Sequence, residues 1–188
     1  MSKRFVCATM VALALSLSSS LFAATARAIS FQQKVAVADQ IVLGTCIRTH
    51  SAFDPSGRWI VTWSTYRVEK VYKGLPASVV TVVTPGGEVG GLHQVTSGVP
   101  SFGEGERNVL FLHGSALGQT VLYQDQGAYR VVSSASGDEM VRPVPSDLML
   151  LDRQTGTIRA AADEPARTLG EFEHAIRSEI RNTPEVQR

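Results

Sequence analysis

The stretch from Thr81 to Val95, TVVTPGGEVGGLHQV, combines four glycines with one carboxylate, Glu88, and one imidazole, His93. A phosphate-binding loop of the GxxxxGK[ST] type needs a lysine after its last glycine, and Leu92 stands there instead. A dinucleotide-binding loop needs a helix that begins at its third glycine, and the following LHQVTSGVP predicts none. We therefore expect the stretch to join two strands, and we expect a ligand to be met at the loop Gly86–Ser101.

Three side chains are candidate metal ligands, namely Glu88, His93 and His113. None of them lies in an HExxH or HxH pair, which would bring two ligands together on one element. We predict no metal and no cofactor, although spacing leaves open a three-ligand site gathered from separate strands. The segment HGSALG, beginning at His113, lacks the GxSxG pattern of a nucleophile elbow, so it predicts a hairpin turn and no catalytic residue.

Aromatic residues are concentrated on one long predicted strand, WIVTWSTYRVEKVY, whose uneven alternation predicts a bulge near Ser64. Aromatic side chains are enriched at binding hot spots, and they also fill the cores of small barrels, which is the more common use. The candidate binding residues of the chain are Glu88, His93, Trp59, Trp63, Tyr66 and Phe102.

The N-terminus has the order of a secretory signal peptide. Lys3 and Arg4 precede an apolar stretch, and the small residues of Ala26-Arg27-Ala28 follow. We predict a leader of residues 1–28 that is cleaved after Ala28, with cleavage after Ala26 as the alternative. The apolar stretch is shorter than the roughly 20 residues of a membrane span. An extracytoplasmic protein, periplasmic or secreted and without a membrane span after cleavage, is expected.

Charge and cysteine content exclude some classes of protein. Removing Lys3, Arg4 and Arg27 from the 18 basic residues leaves 15 against 17 acidic ones, a net charge of −2. A nucleic-acid-binding protein would show a basic face or stripe, so no nucleic-acid partner is expected. Cys46 is the only cysteine after the leader, which excludes an intramolecular disulfide in the mature chain, and its apolar surroundings predict a buried structural thiol.

Short strands separated by turns dominate the rest of the chain. Segments such as SVVTVVT and the fully apolar NVLFLHG predict strands, the second of them central. Three more strands are predicted at QTVLYQ, GAYRVVS and EMVRPV, and DLMLLD predicts either a strand or a helical turn. Thr168 and Glu171 match a capping box at the start of an amphipathic helix. We predict a mainly β fold: an OB-like β-barrel domain with additional strands over 29–160, then a linker and a C-terminal helix that packs on the barrel over 161–188.

Part of this pattern resembles a known family. Ala38-Asp39 before an apolar strand, the VYKG turn, the valine-rich strand and GERNVLFL are similar to the N-terminal module of tissue inhibitors of metalloproteinases and to netrin-type modules. The resemblance covers about residues 38–114 and implies a five-stranded OB-like barrel on a secreted scaffold that engages another protein. Those inhibitors chelate the protease zinc through an N-terminal cysteine, which the predicted mature start, Ile29-Ser30-Phe31, lacks.

We therefore expect a non-enzymatic extracytoplasmic module whose partner is another protein. Two alternatives remain open from the sequence. One is a small metal-dependent or hydrolytic enzyme that uses Glu88, His93 and His113. The other is a regulator of a secreted protease that acts without chelating zinc.

Overall fold

A computed structural model of the chain describes residues 24–182 and shows a mainly β fold with a C-terminal helix, as predicted. The helices are α1 (Phe31–Val37) and α2 (Leu169–Asn182), and Ala161–Asp163 form a 3-10 turn. The strands are β1 (Thr25–Arg27), β2 (Gln40–Phe53), β3 (Ile60–Lys73), β4 (Val79–Pro85), β5 (Gly87–Val89), β6 (Leu92–Gln94), β7 (Arg107–Ser115), β8 (Gly118–Val121), β9 (Ala128–Ser133), β10 (Glu139–Pro143), β11 (Met149–Leu151), β12 (Ile158–Ala160) and β13 (Arg167–Thr168).

Eight of these strands form one sheet in the order β13-β10-β9-β7-β2-β3-β4-β8. The apolar run of β7 lies well inside this sheet, which confirms the prediction of a central strand. β8 turns back to pair antiparallel with β7, and it also pairs in parallel with β4, where Gln119 lies opposite Val82. Two smaller sheets, β1-β11-β12 and β5-β6, complete the described part of the chain.

The long hairpin β2–β3 carries the irregularities of the sheet. The predicted bulge near Ser64 is wrong for β3, because β3 pairs with β4 in unbroken register from Val61 to Arg67. The extra residue belongs to β2 instead: Cys46 lies opposite Tyr66 and Arg48 opposite Thr65, which leaves Ile47 without a partner on β3. Such an extra residue increases the local twist of a strand pair.

Two apolar cores lie on opposite faces of β7, because successive side chains of a strand point to opposite faces. Val109 and Phe111 face the helices, and Leu110 and Leu112 face the β2–β3–β4 side. The helix-side core also contains Val35, Ile41, Tyr129, Phe172 and Ile176. The second core contains Val42, Cys46, Tyr66, Val82, Phe102 and Val121. Cys46 is fully buried, and burial raises the pKa of its thiol, so the prediction of a buried cysteine is confirmed.

Helix α2 begins at the predicted capping box. The Thr168 N–H donates to Glu171 Oε2 at 3.0 Å, and the Glu171 N–H donates to Thr168 Oγ1 at 3.3 Å. The apolar face of the helix buries Leu169, Phe172 and Ile176 against the sheet. The 3-10 turn and β13 occupy the predicted linker, where β13 pairs with β10.

At the other end of the chain, β1 pairs in parallel with β11, so DLMLLD contributes a strand. Residues 1–23, most of the predicted leader, lie outside the described residues, as do residues 183–188. No helix between residues 24 and 182 has the length and apolar character needed to cross a bilayer.

Candidate binding site

The turn between β2 and β3 is built by Asp54. One carboxylate oxygen of Asp54 accepts the N–H groups of Arg58 and Trp59, at 3.2 and 3.1 Å, and the Ser56 hydroxyl donates to the same carboxylate at 2.8 Å. The Ser56 hydrogen bond, together with these N–H donors, lowers the pKa of Asp54. Gly57 supplies the positive φ of 70° that the turn needs. The closed turn leaves the indole of Trp59 60% exposed.

The glycine-rich stretch forms a two-stranded ribbon, β5–β6. Gly90 and Gly91 connect its strands with φ values of 58° and 80°, and a type I′ hairpin turn requires positive φ at both of its central positions. The ribbon therefore joins β4 to the chain that leads into β7.

The ribbon lies against the β2–β3 hairpin. The Ile60 N–H donates to Gln94 Oε1 at 3.0 Å, and the Gly86 N–H donates to the Ile60 carbonyl at 2.8 Å. A Cβ on Gly87 would lie 2.4 Å from Thr62 Oγ1 and 2.5 Å from Ser51 Oγ, so only glycine permits this approach. The ribbon is thus held at the end of the hairpin by these hydrogen bonds and by the close approach of its backbone at Gly87.

This arrangement collects exposed apolar side chains at one end of the molecule. Trp59 and Leu92 are each 60% exposed, Val95 is 75% exposed and Phe53 is 42% exposed. We call these four residues the hairpin end. A cleft of about 290 Å³, lined mainly by the loop Gly86–Ser101, opens beside them.

The six predicted binding residues fall into two groups. Glu88 and His93 are cross-strand partners on the ribbon and are exposed, and Trp59 belongs to the hairpin end. Trp63 is half-buried and stacks on His50, with their ring centroids 6.4 Å apart. Four of the six are therefore at or near the surface of the β2–β3 hairpin and its ribbon.

The other two predicted binding residues are placed in the core. Tyr66 is fully buried, Phe102 is 9% exposed, and their rings pack edge to face at a centroid distance of 5.7 Å. The Tyr66 hydroxyl donates to Asn108 Oδ1 at 3.0 Å. Their assignment to a binding face is corrected, because neither ring is presented to a ligand. Sequence reasoning missed Phe53, and it expected a ligand at the loop that contains Leu92 and Val95 without naming these two residues.

The candidate ligand His113 lies on β7, where its ring is within hydrogen-bond distance of the Thr120 hydroxyl, 3.1 Å from Nε2. Within residues 24–182, no group of three or more His, Cys, Asp or Glu side chains is arranged to hold a metal ion. Ser115 and Gly118 close the β7–β8 hairpin, with the Ser115 hydroxyl donating to the Gly118 carbonyl. The HGSALG segment is thus the predicted hairpin turn.

A buried polar cluster, which the sequence did not reveal, lies under α1. Lys34 Nζ donates to the Tyr129 hydroxyl at 2.5 Å and lies 3.6 Å from Glu164 Oε2. The Tyr129 hydroxyl in turn donates to Glu164 at 3.2 Å. Lys34 is 4% exposed, and burial lowers its pKa, although Glu164 opposes the shift.

Asp125 is the fourth member of this cluster and is 3% exposed. Neither of its carboxylate oxygens has a hydrogen-bond partner among the described residues. Burial raises the pKa of Asp125 to about 7, and the charge of Asp147 adds to the shift. The preceding residues, Tyr123 and Gln124, adopt positive φ values of 50° and 65°, which end β8 at Val121 and stop the predicted strand QTVLYQ short.

Carboxyl and amino groups with shifted pKa values are typical of active sites, but they also occur in structural networks. The cavity between Lys34, Asp125, Tyr129 and Glu164 measures about 10 Å³. That volume corresponds to about one water molecule and leaves no room for a substrate. The cluster therefore has the environment of a structural network, and the hairpin end is the better candidate for a ligand.

No protein family, curated protein or solved structure matches the chain.

Proposed function

We propose that the protein is a non-enzymatic, extracytoplasmic protein-binding module that binds its partner through the hairpin end. The observation that carries the proposal is the exposure of Phe53, Trp59, Leu92 and Val95 on two connected hairpins. Large apolar side chains gathered on a surface mark interaction sites, and tryptophan is the residue most enriched at binding hot spots. A protein surface is the partner that such a patch fits.

The strand pairing supports an OB-like barrel as the scaffold. β2 pairs with β3, β3 with β4, β4 with β8, β8 with β7, and β7 with β2, so that the pairings return to their starting strand. In OB folds, the loop between the first two strands is one of the loops that contact ligands. The corresponding loop here is the turn that Asp54 closes, next to Trp59.

The extracytoplasmic location is supported by the order of basic, apolar and small residues in 1–28. The absence of an enzymatic role is supported by the chemistry of the cleft. Its only titratable lining residue is His93, which pairs across the ribbon with Glu88 on an exposed surface. Lys34 and Asp125, whose pKa values are shifted by burial, are enclosed in the cluster under α1, where a substrate has no room.

The test is a comparison of three proteins in affinity capture from the extracytoplasmic fraction of the producing cell. Wild type is compared with W59S, which removes the exposed indole, and with L75S. Leu75 is 83% exposed in the turn between β3 and β4, so it is a matched control at the other end of β3. The captured protein is identified and its affinity for each variant is then measured by titration.

We expect W59S to weaken binding at least about 30-fold, which is the usual size of a hot-spot loss, and L75S to leave it unchanged. Equal binding by wild type and W59S would contradict the proposal. If the captured protein is a protease and its activity changes on binding, the result favours the alternative of a protease regulator.

A further inference from the structure

The strand that precedes α1, β1, occupies a second surface of the protein. β1 extends the β11–β12 pair into a three-stranded sheet, with Thr25 opposite Met149, Ala26 opposite Leu150 and Arg27 opposite Leu151. The Met149 N–H donates to the Ala24 carbonyl at 2.8 Å, and the Ala28 N–H donates to the Leu151 carbonyl at 2.9 Å. These are the backbone contacts by which an extended peptide is added to a sheet edge.

The side chain of Gln126 contacts the backbone of the same segment from another direction. Its Nε2 donates to the Arg27 carbonyl at 3.0 Å, and its Oε1 accepts the Ile29 N–H at 3.0 Å. Gln126 is 6% exposed, so its amide is held in a fixed position. An amide that both donates to and accepts from one backbone recognises an extended chain without regard to its sequence.

Alternate side chains of the segment enter a shallow apolar slot. Ala24, Ala26 and Ala28 pack against Leu148, Leu150 and Ala161. The intervening residues, Thr25 and Arg27, are exposed. The slot therefore selects small side chains at every second position and accepts any side chain between them. We call the surface formed by β11, Gln126 and Ala161 the β11 slot.

The chain after Ala28 is anchored independently of β1. The Gln33 N–H donates to Ser30 Oγ, and Gln33 Oε1 accepts the Ser30 N–H, which caps α1. The Phe31 ring packs edge to face against Phe111 and Phe172, with centroid distances of 5.8 and 5.3 Å. Loss of residues up to Ala28 therefore leaves α1 and the helix-side core attached.

We propose that removal of the leader opens the β11 slot, and that the mature protein binds there an extended segment of a partner protein with small side chains at alternate positions. Cleavage after Ala28 or after Ala26 removes the residues opposite Met149 and Leu150. The edge of β11 then presents unpaired backbone groups, which another extended chain can satisfy. The leader segment, which is extended and has alanine at alternate positions, indicates what kind of segment fits the slot. The proposal rests on the signal-peptide part of the proposed function and not on the hairpin end.

The experiment uses mature protein purified from the extracytoplasmic fraction, with its N-terminus determined by intact mass. The probe is a synthetic peptide with the sequence of Ala24–Ala28, acetylated, amidated and labelled with a fluorophore, and binding is followed by anisotropy. We expect a mature chain that lacks Thr25 and Ala26 and binds the peptide with a dissociation constant below about 1 mM. Amide exchange of Met149 should slow when the peptide is bound, because its N–H donates to the first residue of the segment.

Two comparisons locate the binding. A peptide with the substitution Ala26→Trp cannot enter the slot and should not bind, which requires no change in the protein. Gln126→Leu removes the hydrogen bond to the Arg27 carbonyl of the segment and should weaken binding about three- to tenfold. Gln32→Leu, on the exposed side of α1, is the matched control and should bind as wild type does.

Several results would overturn the proposal. A mature chain that retains Ala24–Ala26 would make β1 a permanent strand of the fold. A chain that starts at Ile29 and does not bind the peptide would show that the slot closes after cleavage, and equal binding of the Ala26→Trp peptide would show a non-specific contact. None of these results affects capture through Trp59, so the two proposals fail separately.

Discussion

Replacing Asp125 with asparagine tests the description of the buried cluster under α1. Asp125 is 3% exposed, and no hydrogen bond from the described residues reaches its carboxylate oxygens. Burial raises its pKa to about 7 from the ordinary value of 3.8. Because the folded protein binds this proton more tightly than the unfolded chain does, the stabilisation is complete below about pH 4 and is lost as the pH rises through 7.

The size of the effect follows from linkage. A carboxyl with these two pKa values loses about 2 to 3 kcal/mol of folding free energy between pH 5 and pH 8. Carboxyls whose pKa is lowered by folding, such as Asp147, change the folding free energy at more acidic pH, outside this interval. Asparagine has nearly the same shape and carries no charge, so D125N should lack the loss that wild type shows in this interval.

The assay is urea unfolding at pH 5, 6, 7 and 8, followed by the fluorescence of Trp59 and Trp63. We expect the unfolding free energy of wild type, measured relative to D125N, to fall by about 2 to 3 kcal/mol over this range. Groups that titrate in both proteins cancel in the comparison. Parallel pH profiles for the two proteins would refute the description of Asp125 as a buried, unpartnered carboxyl.

Other predictions concern packing, the helix contact and the thiol. A Cβ on Gly127 would lie 2.9 Å from the Leu122 carbonyl oxygen and 3.0 Å from that of Phe111, so G127A should lower the unfolding free energy by about 1–3 kcal/mol. G170A, in α2 with open space around it, should raise it by about 0.5–1 kcal/mol; equal effects in urea unfolding would contradict this reasoning. Glu173 accepts from Lys70 Nζ and the Tyr72 hydroxyl, each at 2.7 Å, so E173Q should cost about 1–2 kcal/mol. A double-mutant cycle of E173Q with Y72F should show coupling between the two residues. Additive losses would mean that the hydrogen bond between Tyr72 and Glu173 contributes nothing to the unfolding free energy. Burial raises the pKa of Glu173, but the hydrogen bonds from Lys70 and Tyr72 outweigh it and lower the pKa, so this stabilisation should be lost as the pH falls below about 4.5. Cys46 should react with a thiol reagent only in denaturant, and rapid labelling of the native protein would show that the core around it opens.

Elements with strong local signals were predictable. The capping box and the 3.6-residue period place α2 correctly because both signals lie within the helix itself. β7 was recognisable as a central strand because a strand that is covered on both faces needs apolar side chains at successive positions. The glycines of the ribbon were recognisable as a connection, since Gly90 and Gly91 supply backbone angles that the turn demands.

Features that depend on tertiary contacts were not predictable. Nothing local to Lys34 or Asp125 shows that the chain buries both side chains around one cavity, because residues 91 positions apart meet only in the fold. The bulge near Ser64 was placed on the wrong strand because uneven alternation does not show which of two paired strands carries the extra residue, and Ile47 lies on β2. Trp59 and Tyr66 both belong to the predicted aromatic strand, and only the fold shows that one is exposed and the other buried.

The central claim, that a partner protein binds at the hairpin end, is tested most directly by hydrogen exchange on the captured complex. Exchange of backbone amides is compared between the free protein and the complex. The proposal predicts new protection at Asp54–Ile60 and Leu92–Thr96, with no change at the turn that contains Leu75. Protection confined to other parts of the surface, with these two segments unchanged, would contradict it.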